Sequence, residues 1–377
     1  MGFYSRIARP ALFHADPERI HDRAIRAAER ASSSSLLCGA ISAWEAPARD
    51  EHLITEIAGL HFAHPIGLAA GFDKSGRAAP FWAALGFGHV EIGSVSAEPS
   101  QGNPKPRLFR IPADQGIVVN YGLPNEGCER VAARLEQVRL PVPLGINIVN
   151  TNRGPQAEPS PDDAVIADYV CSVRRLEAPA DYLVLNLSCP NTREGRAFCS
   201  GTPRLGALLS AVGELRPKRP LFLKVAPFPN PSEIDAFLSV VEPFSFVNGF
   251  SINLPSGKPP GLKTSADALA VMPGAVSGKP SEPAANRTIR EFYRRMDRGR
   301  YRIIGSGGVF TAEDAYTKIR CGASLVQLLT ALVYEGPGVV RGICADLAAL
   351  LERDGFRNVA EAVGSSASQE PESHHPG

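Results

Sequence analysis

The residues that could do chemistry in this chain follow strand-like apolar runs. The first run leads into AAGFDKSG, where small residues precede the cation Lys74; the fourth leads into Asn186 and the thiol Cys189; the fifth carries Lys224. Two lysines, several asparagines and one thiol suit a planar ligand with an acidic group, because an Asn side chain both donates and accepts hydrogen bonds. No carboxylate ends any of these runs, which argues against paired-acid glycosidase chemistry and against a divalent metal site.

Glycines end the seventh of these runs. It closes with Gly305, Gly307 and Gly308, and the eighth ends in Leu329 and Thr330. In α/β barrels, the loops after strands seven and eight often bind phosphate through backbone N–H groups. The pattern therefore predicts a phosphate-bearing cofactor, and FMN has a suitable size.

Eight apolar runs must position these groups, and their apolar residues are consecutive, as in parallel strands buried on both faces. The runs alternate with longer helical stretches, which predicts an α/β fold, a (β/α)8 TIM barrel over residues 49–363, instead of an open doubly wound sheet. The predicted strands are 66–72, 89–95, 144–149, 182–188, 221–226, 249–254, 302–308 and 324–332.

Residues 1–48 predict a small helical appendage. Asp16 is placed as the N-cap of a helix with Pro17 at its first position, and a second short apolar segment covers 36–44. Two short helices need a surface to rest on, and we expect that surface to be the barrel. The sequence has neither a secretory signal nor an apolar run long enough to span a membrane. Residues 364–377 are polar and predict a disordered tail.

Composition excludes some classes of function. The 40 Lys and Arg residues nearly balance the 39 Asp and Glu residues, so nothing indicates nucleic-acid binding. The seven cysteines form no C-x-x-C pair and no zinc pattern, which favours reduced thiols and no metal site.

Longer stretches resemble the dihydroorotate dehydrogenase family, specifically its quinone-linked class 2. The resemblance covers nearly all of residues 10–356 and rests on ALFHADPERIHDRA, PIGLAAGFDKSG, GFGHVEIGSVSAEPSQGNPKPRLFRIPAD, NLSCPNT, LKVAP, VSGKP, TIREFY and IIGSGGVFTAEDAYTKIRCGASLVQLLTAL. It implies oxidation of dihydroorotate to orotate in de novo pyrimidine biosynthesis, with FMN as hydride acceptor. A quinone would reoxidise the flavin through the appendage, which would also touch the cytoplasmic side of a membrane (the inner membrane in a bacterium).

The resemblance assigns site residues position by position. The positions that match FMN contacts are Ala69, Ala70, Gly71, Asp73, Ser94, Asn147, Asn186, Lys224, Gly278, Gly307, Gly308, Leu329 and Thr330. The positions that match or neighbour substrate contacts are Lys74, Asn120, Tyr121, Gly122, Leu123, Asn186, Asn191 and Asn253.

The catalytic loops depart from class 2. That class has two serines where this chain has Ser188 and Cys189, and cysteine is the base of class 1. Leu123 stands where class 2 has Phe, again as in class 1, and Val119 replaces an Asn that contacts orotate. The resemblance therefore implies Cys189 as the catalytic base.

Two alternatives stay open at the level of sequence. One is a paralogous FMN barrel enzyme that oxidises another cyclic amide or dihydropyrimidine, and the other is a non-catalytic, flavin-binding membrane adaptor. Bleaching of the flavin by a given substrate separates all three.

Overall fold

Eight parallel strands close into a barrel in this computed structural model, which describes residues 4–154, 156–188, 202–228, 230–252 and 254–368. The strands follow one another around the barrel in chain order, and the eighth pairs with the first through Val326 and Ile66. The predicted TIM barrel is confirmed. The barrel strands, numbered one to eight below, are Ile66–Leu68, His89–Val95, Leu144–Ile148, Tyr182–Asn186, Leu221–Val225, Val247–Ile252, Arg302–Gly305 and Leu325–Leu328.

Most of these strands end earlier than the sequence predicts. The first predicted run extends to residue 72, but its strand ends at Leu68, and the small residues after it form a loop. The seventh run likewise loses its glycines to a loop after Gly305. The residues after both strands are buried or half-buried although they pair with no strand. Burial without strand pairing explains why the predicted runs are longer than the strands.

Helices cover the outside of the barrel and bury its strands. Every residue of strands two to five is buried, and the apolar side chains between barrel and helices form one continuous core. The α-helices after the appendage are Ala79–Ala84, Cys128–Leu135, Asp162–Leu176, Thr202–Gly213, Pro231–Val241, Ala266–Ala270, Glu282–Arg295, Ala312–Cys321, Thr330–Glu335, Val339–Arg353 and Val359–Ala362. Short 3-10 turns lie at Glu51–Leu53, Pro112–Asp114 and Lys279–Ser281.

Two small antiparallel sheets were not predicted from the sequence. A hairpin, Thr55–Ile57 with Leu60–Phe62, packs Ile57 and Phe62 onto side chains inside the barrel, among them Tyr182 and Phe222. The second sheet joins the consecutive strands Leu108–Ile111 and Gly116–Val119 to a distant one, in the order Ala275–Gly278, Gly116–Val119 and Leu108–Ile111. Strands of three or four residues give too little alternation to be recognised from sequence alone.

The appendage consists of two main helices, preceded by a short helical segment. Tyr4–Ala8 and Arg9–Phe13 lead into Pro17–Ser32, which Asp16 caps by accepting a hydrogen bond from the Arg19 amide, and Ser35–Glu45 follows. A buried ion pair fastens the first main helix to the barrel, with Glu18 Oε1 2.9 Å from Arg107 Nη2. Among the described residues, no helix has the length and apolarity needed to cross a bilayer.

The chain after residue 363 stays packed for a few residues. The amides of Gly364 and Ser366 donate to the carbonyls of Ile319 and Arg320, and Ala367 is buried. A disordered tail that starts at residue 364 is therefore wrong for these first residues, because their backbone groups find partners on the helix Ala312–Cys321. Residues 369–377 lie outside the described residues.

Candidate active site

A cavity of about 430 Å³ lies at the C-terminal ends of the barrel strands. This volume falls in the roughly 300–1,000 Å³ range of small-molecule sites, and this end of a TIM barrel is where active sites form. The appendage covers one side of the cavity with Leu12, Ile20 and Ala24. The predicted site residues that line the cavity are Ala69, Ala70, Gly71, Lys74, Ser94, Tyr121, Gly122, Leu123, Asn186, Lys224, Gly278, Gly307, Gly308, Leu329 and Thr330.

Lys74 lies among aromatic and imidazole groups in one wall. Its ammonium nitrogen is 3.9 Å from the centre of the Tyr121 ring and 3.3 Å from Nε2 of His21, which belongs to the appendage. Burial, together with the nearby Arg107, lowers the pKa of Lys74 from 10.5 to about 8. Burial also holds the pKa of His21 well below its usual 6.5, and Lys74 adds to the effect. A neutral imidazole therefore accepts from a lysine whose charge is readily available to an acidic ligand.

Buried hydrogen bonds connect the strand ends beneath the cavity. The Ser94 hydroxyl donates to Asn147 Oδ1 at 2.5 Å and accepts from Asn186 Nδ2 at 3.0 Å. Asn147 Nδ2 donates to Glu91 at 2.9 Å, and the Lys224 ammonium lies 3.7 Å from the same carboxylate. The structure thus brings the two asparagines and the lysine together, but of these three only Asn186 and Lys224 line the cavity.

Glycines line another part of the cavity. Gly278, Gly307 and Gly308 have φ of +93°, +92° and +77°, which L side chains rarely adopt. A Cβ at Gly308 would lie 2.4 Å from the Glu282 Cβ, so the backbone here leaves no space for a side chain. Such close-packed glycine turns can present backbone N–H groups to a phosphate.

Three predicted residues do not line the cavity. Asp73 is buried and accepts from the amides of Arg77 and Ala78 and from Trp82 Nε1, so it shapes the loop before Ala79–Ala84. Asn147 lies behind Ser94, and Asn120 accepts from the side chain of Asn103. Their matched positions are near the site, but their side chains are used for protein contacts. The predicted base Cys189 and the substrate residues Asn191 and Asn253 lie outside the described residues.

The sequence analysis missed three residues of the site. Glu91 and Gln327 occur inside strands two and eight, and Gln327 Nε2 donates to Glu91 Oε2 at 2.8 Å. A polar residue in a strand that is otherwise buried was the available signal. His21 gave none, because a single histidine on an amphipathic helix fits many roles.

Comparisons with known proteins agree with this geometry. The sequence model of the family described as dihydroorotate dehydrogenase matches residues 52–351. Proteins named dihydroorotate dehydrogenase (quinone) from Acidithiobacillus ferrooxidans and Myxococcus xanthus are 40% and 38% identical to this chain, covering 96% and 95% of it and 99% and 97% of the relatives.

The fold also matches two crystal structures of DHODH from Eimeria tenella. The ferulenol complex has a TM-score of 0.78 at 29% identity and covers 94% of this chain and 96% of that chain. The ligand-free form has a TM-score of 0.81 at 30% identity and covers 94% of this chain and 100% of that chain. Family match, full-length relatives and fold together place this chain in the dihydroorotate dehydrogenase family, class 2.

Proposed function

We propose that this chain oxidises dihydroorotate to orotate in pyrimidine biosynthesis, with FMN as its flavin and a quinone as final electron acceptor. Relatives named dihydroorotate dehydrogenase (quinone) match this chain over nearly their whole length. The observation that carries the proposal is the cavity itself, which Lys74 and the glycine turns both line. A flavin between them would present its ring to a substrate held by the lysine.

The described residues fit FMN. Gly278, Gly307 and Gly308 would hold the phosphate, while Asn186 and Lys224 would meet the polar edge of the ring. The bound flavin supplies a two-electron acceptor for the hydride from the substrate. The site has no adenylate-binding fingerprint, which favours FMN over FAD.

The protein itself binds the substrate and removes a proton. Lys74 would bind the carboxylate of dihydroorotate, and Asn186 would bind its ring amide, assisted by Asn191 and Asn253. Cys189 would take the proton from C5 while the hydride leaves C6, because a thiol can titrate close to neutral pH. Tyr121 and the backbone from Gly122 to Leu123 would enclose the ring and exclude water.

Quinone access would run beneath the appendage. Apolar side chains of both parts line this side of the cavity, and Arg110 gives it one cation. The outer face of the appendage exposes large apolar side chains, with Leu36 86%, Trp44 72% and Ile7 59% exposed. Such a face supports peripheral binding to a membrane. We propose that the protein binds the cytoplasmic side of a membrane, which in a bacterium would be the inner membrane.

Anaerobic mixing with dihydroorotate tests the proposal. The flavin absorbance of the purified protein should bleach, orotate should form in equal amount, and added quinone should restore the colour. Bleaching by another dihydropyrimidine but not by dihydroorotate would support the paralogous enzyme instead. Release of FAD, or of no flavin, on denaturation would contradict the cofactor assignment.

A further inference from the structure

We propose that Glu91 is a positioning residue, whose buried carboxylate fixes which groups donate hydrogen bonds at the base of the cavity. It does so through a relay that we define as Glu91, Asn147, Ser94 and Asn186. The inference rests on the proposed function, because it concerns how the protein orients its donors toward the flavin.

Glu91 has donors on both carboxylate oxygens. Oε1 accepts from Asn147 Nδ2 at 2.9 Å and lies 3.7 Å from the Lys224 ammonium, and Oε2 accepts from Gln327 Nε2 at 2.8 Å. The side chain of Glu91 is 0% exposed, so no bulk water competes for these oxygens. Since an ionised carboxylate accepts and cannot donate, each of these neighbours must turn a donor toward it.

A second contact fixes the amide of Gln327. Its Nε2 also lies 3.3 Å from Nε2 of His89, which is fully buried. Burial lowers the pKa of His89 to about 3, so the imidazole is neutral and can accept. Both N–H groups of the Gln327 amide thus have acceptors, and Gln327 cannot flip without losing both.

The direction set by Glu91 passes along the relay. Because the amide nitrogen of Asn147 faces Glu91, its Oδ1 faces Ser94 and accepts the only hydroxyl proton of that residue. Ser94 Oγ must then act as acceptor toward Asn186, whose Nδ2 lies 3.0 Å away. Asn186 Oδ1 accepts from the Ser188 amide at 3.2 Å, which fixes the same orientation from the other side. The group that Asn186 can offer to a ligand is therefore its second N–H.

The base of the cavity consequently presents donors from two residues. The Asn186 amide and the Lys224 ammonium both line the cavity and both donate. This pattern matches a ring edge with carbonyl oxygens that becomes more negative on reduction, as in a flavin. Donors that are oriented beforehand need no rearrangement when that charge develops.

A double-mutant cycle on Glu91 and Asn147 tests the relay. E91Q replaces the carboxylate by an amide, whose nitrogen is a donor. That nitrogen must then face the donor of either Asn147 or Gln327. N147D places a second carboxylate 2.9 Å from the first. The double variant E91Q/N147D restores the directions along the relay and at Gln327, because Gln at 91 can donate to Asp at 147 and accept from Gln327, while Asp at 147 accepts from Ser94. The net charge also returns to that of the wild type.

The measurement is the loss of FMN from the holoprotein on dilution. It is monitored by the fluorescence of FMN, which recovers when the flavin is free. We expect each single variant to bind FMN at least about tenfold more weakly, as for loss of a charged hydrogen bond, and the double variant to come within about threefold of wild type. S94A breaks the relay with a smaller change and serves as the test if a larger variant fails to fold. It should weaken FMN binding by about fivefold. S251A, which truncates a buried hydroxyl of strand six outside the relay, should bind FMN like the wild type.

Additive losses in E91Q/N147D, or wild-type FMN binding in E91Q, would overturn the inference. The rate of flavin reduction by saturating dihydroorotate, measured on the same samples, keeps the two proposals apart. A wild-type protein that binds FMN but is not reduced would refute the substrate while the cycle still tests the relay. A wild-type protein without flavin would overturn both.

Discussion

His21 and Lys74 connect the appendage to the substrate end of the barrel, with His21 Nε2 3.3 Å from the lysine ammonium. The His21 ring also packs edge-on against Phe72, at 5.1 Å between ring centres. The sequence predicts that the appendage serves quinone access. With Lys74 as the proposed substrate-binding residue, this contact would give the appendage a part in substrate binding as well.

Replacing His21 should impair the first half-reaction. H21A removes an acceptor of Lys74, and we expect the dihydroorotate concentration for half-maximal flavin reduction to rise about five- to tenfold, the value of one ordinary hydrogen bond. H21Q can accept at a similar place and should recover most of the affinity. Anaerobic stopped-flow reduction without quinone measures this directly. An unchanged half-reaction in H21A would show that the contact does not position the lysine.

Orotate binding should weaken above the pKa of Lys74. This pKa is lowered from 10.5 to about 8, so the lysine is charged below pH 8 and loses its charge above it. The dissociation constant of orotate, from the change in flavin spectrum, should therefore rise toward roughly tenfold per pH unit at alkaline pH. K74R should bind without this rise, because arginine stays charged. The same alkaline rise in K74R would assign it to another group.

Cys189 should be required for proton removal but not for flavin binding. C189A should retain FMN and slow flavin reduction by about 100-fold or more, a common contribution of a general base. C189S should recover little at neutral pH, because a serine hydroxyl needs a helper to accept a proton. Near-native reduction in C189A would show that another group takes the proton.

Gly308 should be required for flavin retention. G308A adds a Cβ only 2.4 Å from that of Glu282, at φ +77°. We expect the purified variant to contain less than about half the FMN of wild type, measured as the ratio of flavin to protein absorbance. Gly355 is a matched control, because it has φ +78° with open space around its Cβ position. If G355A lost flavin equally, the effect would come from backbone strain in general.

The exposed face of the appendage should carry membrane binding. L36E and W44E should each weaken co-sedimentation with anionic liposomes several-fold, because each removes exposed apolar area from the contact. V271E is the control, since Val271 is 76% exposed on the barrel. Turnover with a water-soluble short-chain quinone should stay near wild type in all three. Equal liposome binding by L36E, W44E and V271E would place the membrane contact elsewhere.

The sequence predicted the parts that depend on repetition and on short motifs. Strand four, for example, is apolar from Tyr182 to Leu185, and burial on both faces leaves such a run few alternative structures. It could not predict the direction of hydrogen bonds. Asn147 and Asp73 match cofactor positions along the chain, yet their side chains turn to protein partners that only folding brings close. Glu91 was missed for the same reason, since its partners come from strands three, five and eight.

The hairpin Thr55–Ile57 and Leu60–Phe62 closes the N-terminal end of the barrel with Ile57 and Phe62. Molecules must then come and go at the opposite end, where the cavity opens. A water-soluble acid and a lipid-soluble oxidant that share one end of a barrel cannot both approach the same face of a flat ring at once. The two substrates should therefore bind in turn, one after the other has left. Steady-state kinetics should give parallel lines in double-reciprocal plots, as in a ping-pong mechanism.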